Sequence, residues 1–410
     1  MDNLNFTSNI DRYVELLLKI GLNFQEGQRL FVRAPIDARV LVEKIVEMAY
    51  DLGAYDVYVK WSDEKVTRQR LKKAPEEALK EVYSWEIDAA KDMLDKKAAF
   101  LSITGGDPDI LKDVPTERIS IATKAINNAM KEVSRRVMSN EVSWCVIANP
   151  TEAWAKKVFP GDNKALDKLW EYILKASRVE GIDDPIKEWY QHIEKLQNVT
   201  EFLNKMQFDY LHYEGPGTDL TVGLPEEHLW ISGAQTNKDG IVFVPNIPTE
   251  EVFTAPHRDL INGVVKNSKP LVYAGNVIDN FELEFKDGKV VRFKAEKGEK
   301  ILKTILETDE GASYLGEVAL VPVNSPIYKM NTVFYNTLFD ENAASHFAFG
   351  RAYPTCLKNS ERFSEEELRK RGLNISITHV DFMIGNENMR VTGYKDDAPT
   401  VIMENGLWVI

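Results

Sequence analysis

The rhythm of the chain changes near Phe208, and that change constrains the fold more than any other feature. Before it, short apolar runs alternate with amphipathic helical stretches. RLFVRA (29–34) reads as a strand. A helix then starts with Asp37 as N-cap, carries Leu41, Ile45, Met48 and Leu52 on one face, and stops at Gly53. YDVYVKW, AAFLSITGG and SWCVIANP supply three more strands, the last two running into loops with the helix-starting residues Asp107 and Thr151. Helical stretches at 163–175 and 185–206 close this half. Apolar strands separated by such helices form a mainly parallel sheet covered on both faces. After Phe208 strands dominate, with Gly, Asn and Asp turns: DLTVGL, HLWISG, IVFVPN, LVYAGN, and FELEFKDGKVVRFKA, a hairpin turning at Asp287–Gly288. The expected fold is an α/β amino-terminal domain with a mainly parallel sheet (1–207), followed by an α+β, strand-rich domain (208–410). At 410 residues, each has room for its own core.

Charge and cysteine content narrow the partners. The formal net charge is -13 and no basic stripe occurs, so nucleic acid is excluded as a partner. Cys145 and Cys356 lie among apolar residues and cannot build a disulfide framework; they read as buried thiols in a reducing compartment, which makes the cytoplasm the expected location. The amino-terminal stretch places Val14, Leu17 and Leu18 at helical spacing and interrupts them with Glu15 and Lys19. It reads as an amphipathic helix, with no expected signal peptide, membrane span or membrane partner.

Several common catalytic patterns are missing: HExxH, GxSxG, a Walker A loop and paired CxxC. ITGGDPD follows a strand but lacks GxGxxG spacing, and reads as a sheet-to-helix turn rather than a phosphate site. The second half instead holds ligand types for hard metals. VPNIPTEEVFTAPH presents Glu250 and Glu251 at a strand's exit, where paired glutamates serve equally well as solvated surface. YLGEVALVPV sets Glu317 at the mouth of a buried strand, where a sheet-edge charge would look the same. In LFDENAASHFAFGRAYP, Asp340 is expected to cap a short helix through Ala348, and the segment also supplies Glu341, His346 and Tyr353. Glu341 and His346 are five residues apart and share no face of a regular helix, which turns about 100° per residue. They meet only if Glu341 lies in a frayed first turn. In SITHVDFMIG, His379 and Asp381 stand two apart on a strand and so point to one face; a hydrogen-bonded pair at a strand end would also explain them. Among six histidines, His346 and His379 read as the candidate ligands, with Glu341 and Asp381 as their carboxylate neighbours. Glu, Glu, His, His and Asp together suit two divalent cations, and a carboxylate can bridge two ions. Such a pair serves metal-assisted hydrolysis.

PNIPTEEVFTAP, LGEVALV, LFDENAASHFAFGRAYP and THVDFMIG, in this order, resemble the M29 family of metallo-aminopeptidases, the aminopeptidase T and aminopeptidase S group, and the resemblance spans essentially the whole chain. It implies Glu251, Glu317, His346, His379 and Asp381 as metal ligands, Glu341 as a further metal contact, and Tyr353 as a catalytic phenol. It also implies two divalent ions per chain (zinc, cobalt or magnesium), short peptide substrates with a free amino terminus, and a homodimer in which residues 1–207 serve dimerisation or gating. Glu250, next to Glu251, is the candidate general base. The rival expectations are a two-metal hydrolase of non-peptide amides or phosphate esters, and a metal- or peptide-binding protein without turnover.

Overall fold

The computed structural model describes residues 3–273 and 276–410, so positions 1–2 of the amino-terminal stretch and 274–275 of LVYAGN lie outside the described residues. The chain divides into two compact units, one of residues 1–191 with 234–248, the other of residues 192–233 with 249–410. No described helix is long and apolar enough to cross a membrane.

The first unit holds a four-stranded parallel sheet of β1 (Arg29–Pro35), β2 (Asp56–Ser62), β3 (Ala99–Thr104) and β4 (Trp144–Ala148), in the order β2-β1-β3-β4. Strands β1, β3 and β4 are buried through Leu30, Val32, Leu101 and Ile147, while edge strand β2 leaves Tyr58 and Trp61 exposed. The first crossover helix differs from expectation. It runs Arg39–Asp51 after a 3-10 turn at Ile36–Ala38, and Asp37 sits in that turn without capping the helix. Its buried stripe is Leu41, Val42, Ile45 and Ala49, because Leu52 already lies at the helix end. Thr151 does cap a helix, Glu152–Val158, by accepting from the Trp154 N–H. Asp107 does not: its carboxylate accepts the Asp109 N–H in a turn, and the next helix begins at Thr116. The Glu64 carboxylate accepts the Asp107 N–H at 3.0 and 3.2 Å, and a Cβ on Gly106 would come within 2.4 Å of Glu64 Oε2. The chain's own carboxylate therefore fills the place where a glycine loop would hold a phosphate.

The second unit pairs two antiparallel sheets. The larger has nine strands and includes the hairpin Asn276–Lys286/Lys289–Lys297, whose turn residues Asp287 and Gly288 both have positive φ (49° and 81°). The smaller has five strands, β5 (Ile231–Ser232), β6 (Val252–Thr254), β7 (Leu315–Leu320), β8 (His346–Gly350) and β9 (His379–Met383), in the order β9-β8-β7-β6-β5. One hydrophobic core draws Leu211, Tyr213, Leu220 and Phe281 from the larger sheet and Val318, Leu320, Phe347, Phe349, Val380 and Phe382 from the smaller. Rings meet across it: Tyr213 and Phe347 at 5.0 Å, Phe281 and Phe382 at 5.7 Å. One face of the smaller sheet is thereby committed to the core. Period-two alternation sends every second residue to the other face.

Candidate metal centre

That other face gathers the polar groups. Ala348 on β8 pairs with Glu317 on β7 and with Asp381 on β9, so three adjacent strands carry a single cross-strand row. His346 lies two residues before Ala348, and His379 two before Asp381, on the same face. Glu251 directly precedes β6 and alternates with Phe253, which pairs with Ala319 of β7. Ala319, Ala348 and Gly350 fill the positions between these groups, and their small size leaves room above the sheet.

The sequence pattern HFAFG explains β8: phenylalanines enter the core and His, Ala and Gly face away. The expected helix from Asp340 through Ala348 therefore does not form. A short helix spans Thr337–Asp340 with Asn336 as its cap, a 3-10 turn spans Glu341–Ala343, and His346 opens a strand. Pairing on both edges of β8 and burial of Phe347 and Phe349 outweigh the helix propensity of the alanines.

Two groups of three result, Glu251–Glu317–His346 and Glu317–His379–Asp381, with the ligand atoms of each within 4.8 Å of one another. They share Glu317, which offers a different oxygen to each: Oε1 is 3.3 Å from His346 Nε2, and Oε2 is 3.7 Å from His379 Nε2. His346 Nε2 is also 3.3 Å from Glu251 Oε2, and His379 Nε2 is 3.1 Å from Asp381 Oδ1. Glu341 joins neither group of three, though it feels the charges of Glu251, Asp381 and His346. Tyr353 borders the cluster, its ring 5.0 Å from that of His379 and 6.2 Å from that of Phe253. Glu250 is buried and turned elsewhere, with Oε2 3.8 Å from His192 Nε2.

Divalent cations fit this donor set on two counts. Glu251 Oε2 and Asp381 Oδ1 are buried without a hydrogen-bond partner, because the nearby imidazole nitrogens are close but not aligned. Both imidazoles also point Nδ1 at a backbone carbonyl, His346 at Ala344 O (3.1 Å) and His379 at Arg351 O (2.8 Å). An Nδ1–H donated there frees the Nε2 lone pair for a metal.

Comparison with known proteins identifies the family. The family model described as Thermophilic metalloprotease (M29) matches residues 6–408. The chain belongs to the M29 metalloprotease family. Aminopeptidase 2 of Geobacillus stearothermophilus is 48% identical over 402 residues, covering 97% of each chain. Aminopeptidase AmpS of Bacillus subtilis is 44% identical over 407 residues, covering 98% of this chain and 99% of its own. The solved structure titled wild-type AmpT from Thermus thermophilus superposes with a TM-score of 0.92 at 42% identity, covering 99% of this chain and 100% of the other.

The electrostatics of this cluster are those of crowded acids. Four carboxylates, Glu251, Glu317, Glu341 and Asp381, stand beside two imidazoles, and no described lysine or arginine forms an ion pair with any of the four. Burial raises Glu317 above the ordinary carboxylate range; the His346 contact opposes the rise and the charge of Glu251 adds to it. Glu341 is held well above that range by burial and by the charges of Glu251 and Asp381. Burial opposes charge on His379, but Asp381 more than offsets it and the imidazole is pushed up to about 9. His346 is likewise held well above its usual value, because Glu251 and Glu317 outweigh the effect of burial. Asp381 is lowered: burial pushes it up, and the close contact and charge of His379 pull it further down. The Tyr353 phenol is raised by desolvation first and then by the charges of Glu317 and Asp381, so it keeps its proton at neutral pH.

Two residues near this cluster are not marked by any local motif. His192 Nε2 lies 2.8 Å from Thr249 O across 57 positions, a separation that no local pattern reveals. Asn342 accepts the Glu250 N–H at 2.7 Å. It does stand beside Glu341 within LFDENAASHF, and that position was the available clue.

Proposed function

We propose that this chain is a metal-dependent aminopeptidase that removes amino-terminal residues from short peptides with two divalent cations, held by Glu251, Glu317, Glu341, His346, His379 and Asp381. The observation that carries the reading is Glu317, whose two oxygens face two separate groups of ligands. Zinc, cobalt and magnesium are the candidate ions. Bound there, they would supply a Lewis acid for the peptide carbonyl and bring the pKa of a water towards neutrality.

The chain's own groups do the rest. The two Nδ1–H bonds to backbone carbonyls fix both imidazole rings. The surplus of carboxylates favours the protonated α-amine of a peptide over an anionic substrate. Tyr353, still protonated, donates its O–H to the carbonyl oxygen as negative charge develops on it. Glu250 is the candidate general base that takes the proton of the attacking water and returns it to the leaving amine nitrogen, although its carboxylate turns toward His192 and not the cluster. Its support is burial and closeness to His192, a second group able to carry a proton. A Glu250→Gln protein that keeps its metal and normal turnover removes this assignment.

The ligands, Tyr353 and Glu250 lie within residues 208–410 and His192 just before them, all in the second compact unit, and the first unit is the accompanying α/β domain. A homodimer in the cytoplasm follows from the family resemblance and from two buried, unpaired thiols, Cys145 and Cys356. Aminoacyl-p-nitroanilides and a phosphate ester, assayed side by side with and without a chelator, test the activity. Chelator-sensitive release from the anilides alone is expected. Hydrolysis of the phosphate ester alone, or anilide hydrolysis that survives full metal removal, refutes it.

A further inference from the structure

The stretch from Asp340 to His346 interleaves two kinds of residue. His346 belongs to the metal centre, and Glu341 feels the charges of its carboxylates. Between and beside them, Asp340 accepts the Phe334 and Asn336 N–H groups, and Ser345 Oγ accepts the Val321 N–H and donates to Val321 O. Asn342 belongs to this second kind, and its side chain reaches the segment that carries Glu251. Its Oδ1 accepts the Glu250 N–H at 2.7 Å across 92 positions, and its Nδ2 donates to Leu338 O at 3.1 Å. Asn342 is 1% exposed and Glu250 2%.

We propose that Asn342 is a positioning residue that ties the segment carrying Glu251 to the turn carrying Glu341. The inference rests on the metal-centre reading above. A single buried amide meets two demands at once. Leu338 O lies in the last turn of Thr337–Asp340, where carbonyls lack helical partners, and the Glu250 N–H enters no strand ladder. Neither group has water to fall back on, so both depend on the Asn342 amide. The Glu250 N–H is one residue from Glu251, so any slip of that amide carries a ligand with it. Metal sites tolerate about 0.2 Å of such movement. His192 holds the same segment from its other side through Thr249 O. The backbone at 249–250 is therefore gripped at two successive groups just before Glu251 enters the cluster.

The test compares Asn342→Leu, which keeps the volume and removes both polar atoms, with Asn342→Asp, which keeps the acceptor for the Glu250 N–H. Cobalt is titrated into chelator-stripped protein and followed by its visible absorption, and amide exchange around 248–252 is measured in the stripped proteins. The leucine variant is expected to bind cobalt about 10–100-fold more weakly, to lose protection at Glu250, and to recover turnover when cobalt is in excess. The aspartate variant is expected to keep both affinity and protection closer to wild type. Asn342→Ser replaces the leucine variant if that protein does not fold, with the same weakening expected. Cobalt affinity unchanged in the leucine or serine variant overturns the inference, as does equal weakening in leucine and aspartate variants. Failure of the wild-type protein to bind cobalt at all strikes instead at the metal-centre reading, and the exchange data tell the two failures apart.

Discussion

Replacing Glu317 with glutamine should destabilise the chelated protein by about 2–3 kcal/mol and remove most of the stability that metal confers. Glu317 has the carboxylates of Glu251 and Asp381 within 4.8 Å and imidazole nitrogens at 3.3 and 3.7 Å. At an effective dielectric of about 20, each carboxylate repels it by about 3.5 kcal/mol and each protonated imidazole attracts it by about 4.5–5 kcal/mol. Those contributions sum to about 7 kcal/mol against about 9.5, so their joint loss costs the chelated protein only about 2–3 kcal/mol. Metal binding is different, because both groups of ligands lose the same member. Metal at about 1,000 times its Kd stabilises a single site by about 4 kcal/mol, and a ~100-fold weaker site retains only about 1.4 kcal/mol. For a unit of about 200 residues, 1 kcal/mol moves Tm by about 2–4 °C. Calorimetry should then show metal raising the wild-type Tm by about 8–16 °C and that of Glu317→Gln by about 3–6 °C. An equal rise in both proteins would refute the shared-carboxylate geometry, whatever the activity shows.

Three further outcomes follow from the same structure. Tyr353→Phe should lower kcat about 10²–10³-fold with KM and metal affinity unchanged, checked by steady-state kinetics beside a cobalt titration; a change confined to KM would remove the phenol from the reaction. Ala348→Leu puts a branched side chain into the row between Glu317 and Asp381, and should fold at a cost of about 1–3 kcal/mol while losing most of its metal-dependent rise in Tm. His228, 1% exposed, has its pKa lowered to about 4, chiefly by burial. The unfolded chain binds that proton below about pH 6.5 and the folded one does not until near pH 4, so stability falls by about 3 kcal/mol across this window and is unaffected above it. Urea unfolding at pH 7 and pH 4.5 should show a smaller acid loss for His228→Gln; equal losses would discard the assignment.

The local half of this architecture was legible from residue order. Alternation alone put His379 and Asp381 on one strand face, since successive side chains point to opposite sides whatever the strand packs against. The Asp287–Gly288 hairpin and the parallel first half follow from turn chemistry and spacing of the same short range. His346 shows where local reading stops. Its alanine-rich surroundings suggested a helix, and only pairing with β7 and β9 made it the first residue of a strand. The ligand set itself was reached through family resemblance, because spacing left Glu251 and Glu317 equally readable as surface charges.

What the sequence determined by itself, then, is the direction of each side chain along its own strand, a property of backbone geometry over two or three residues. Which strands became neighbours was decided by the tertiary structure. The order β9-β8-β7-β6 and the register that aligns Glu317, Ala348 and Asp381 come from burying Val318, Phe347, Phe349 and Phe382 in one core with Tyr213 and Phe281. The grips of Asn342 and His192 on residues 249–250 arise in the same way, across 92 and 57 positions. Contacts at such separations depend on how the whole core packs, so no stretch of residues read alone contains them.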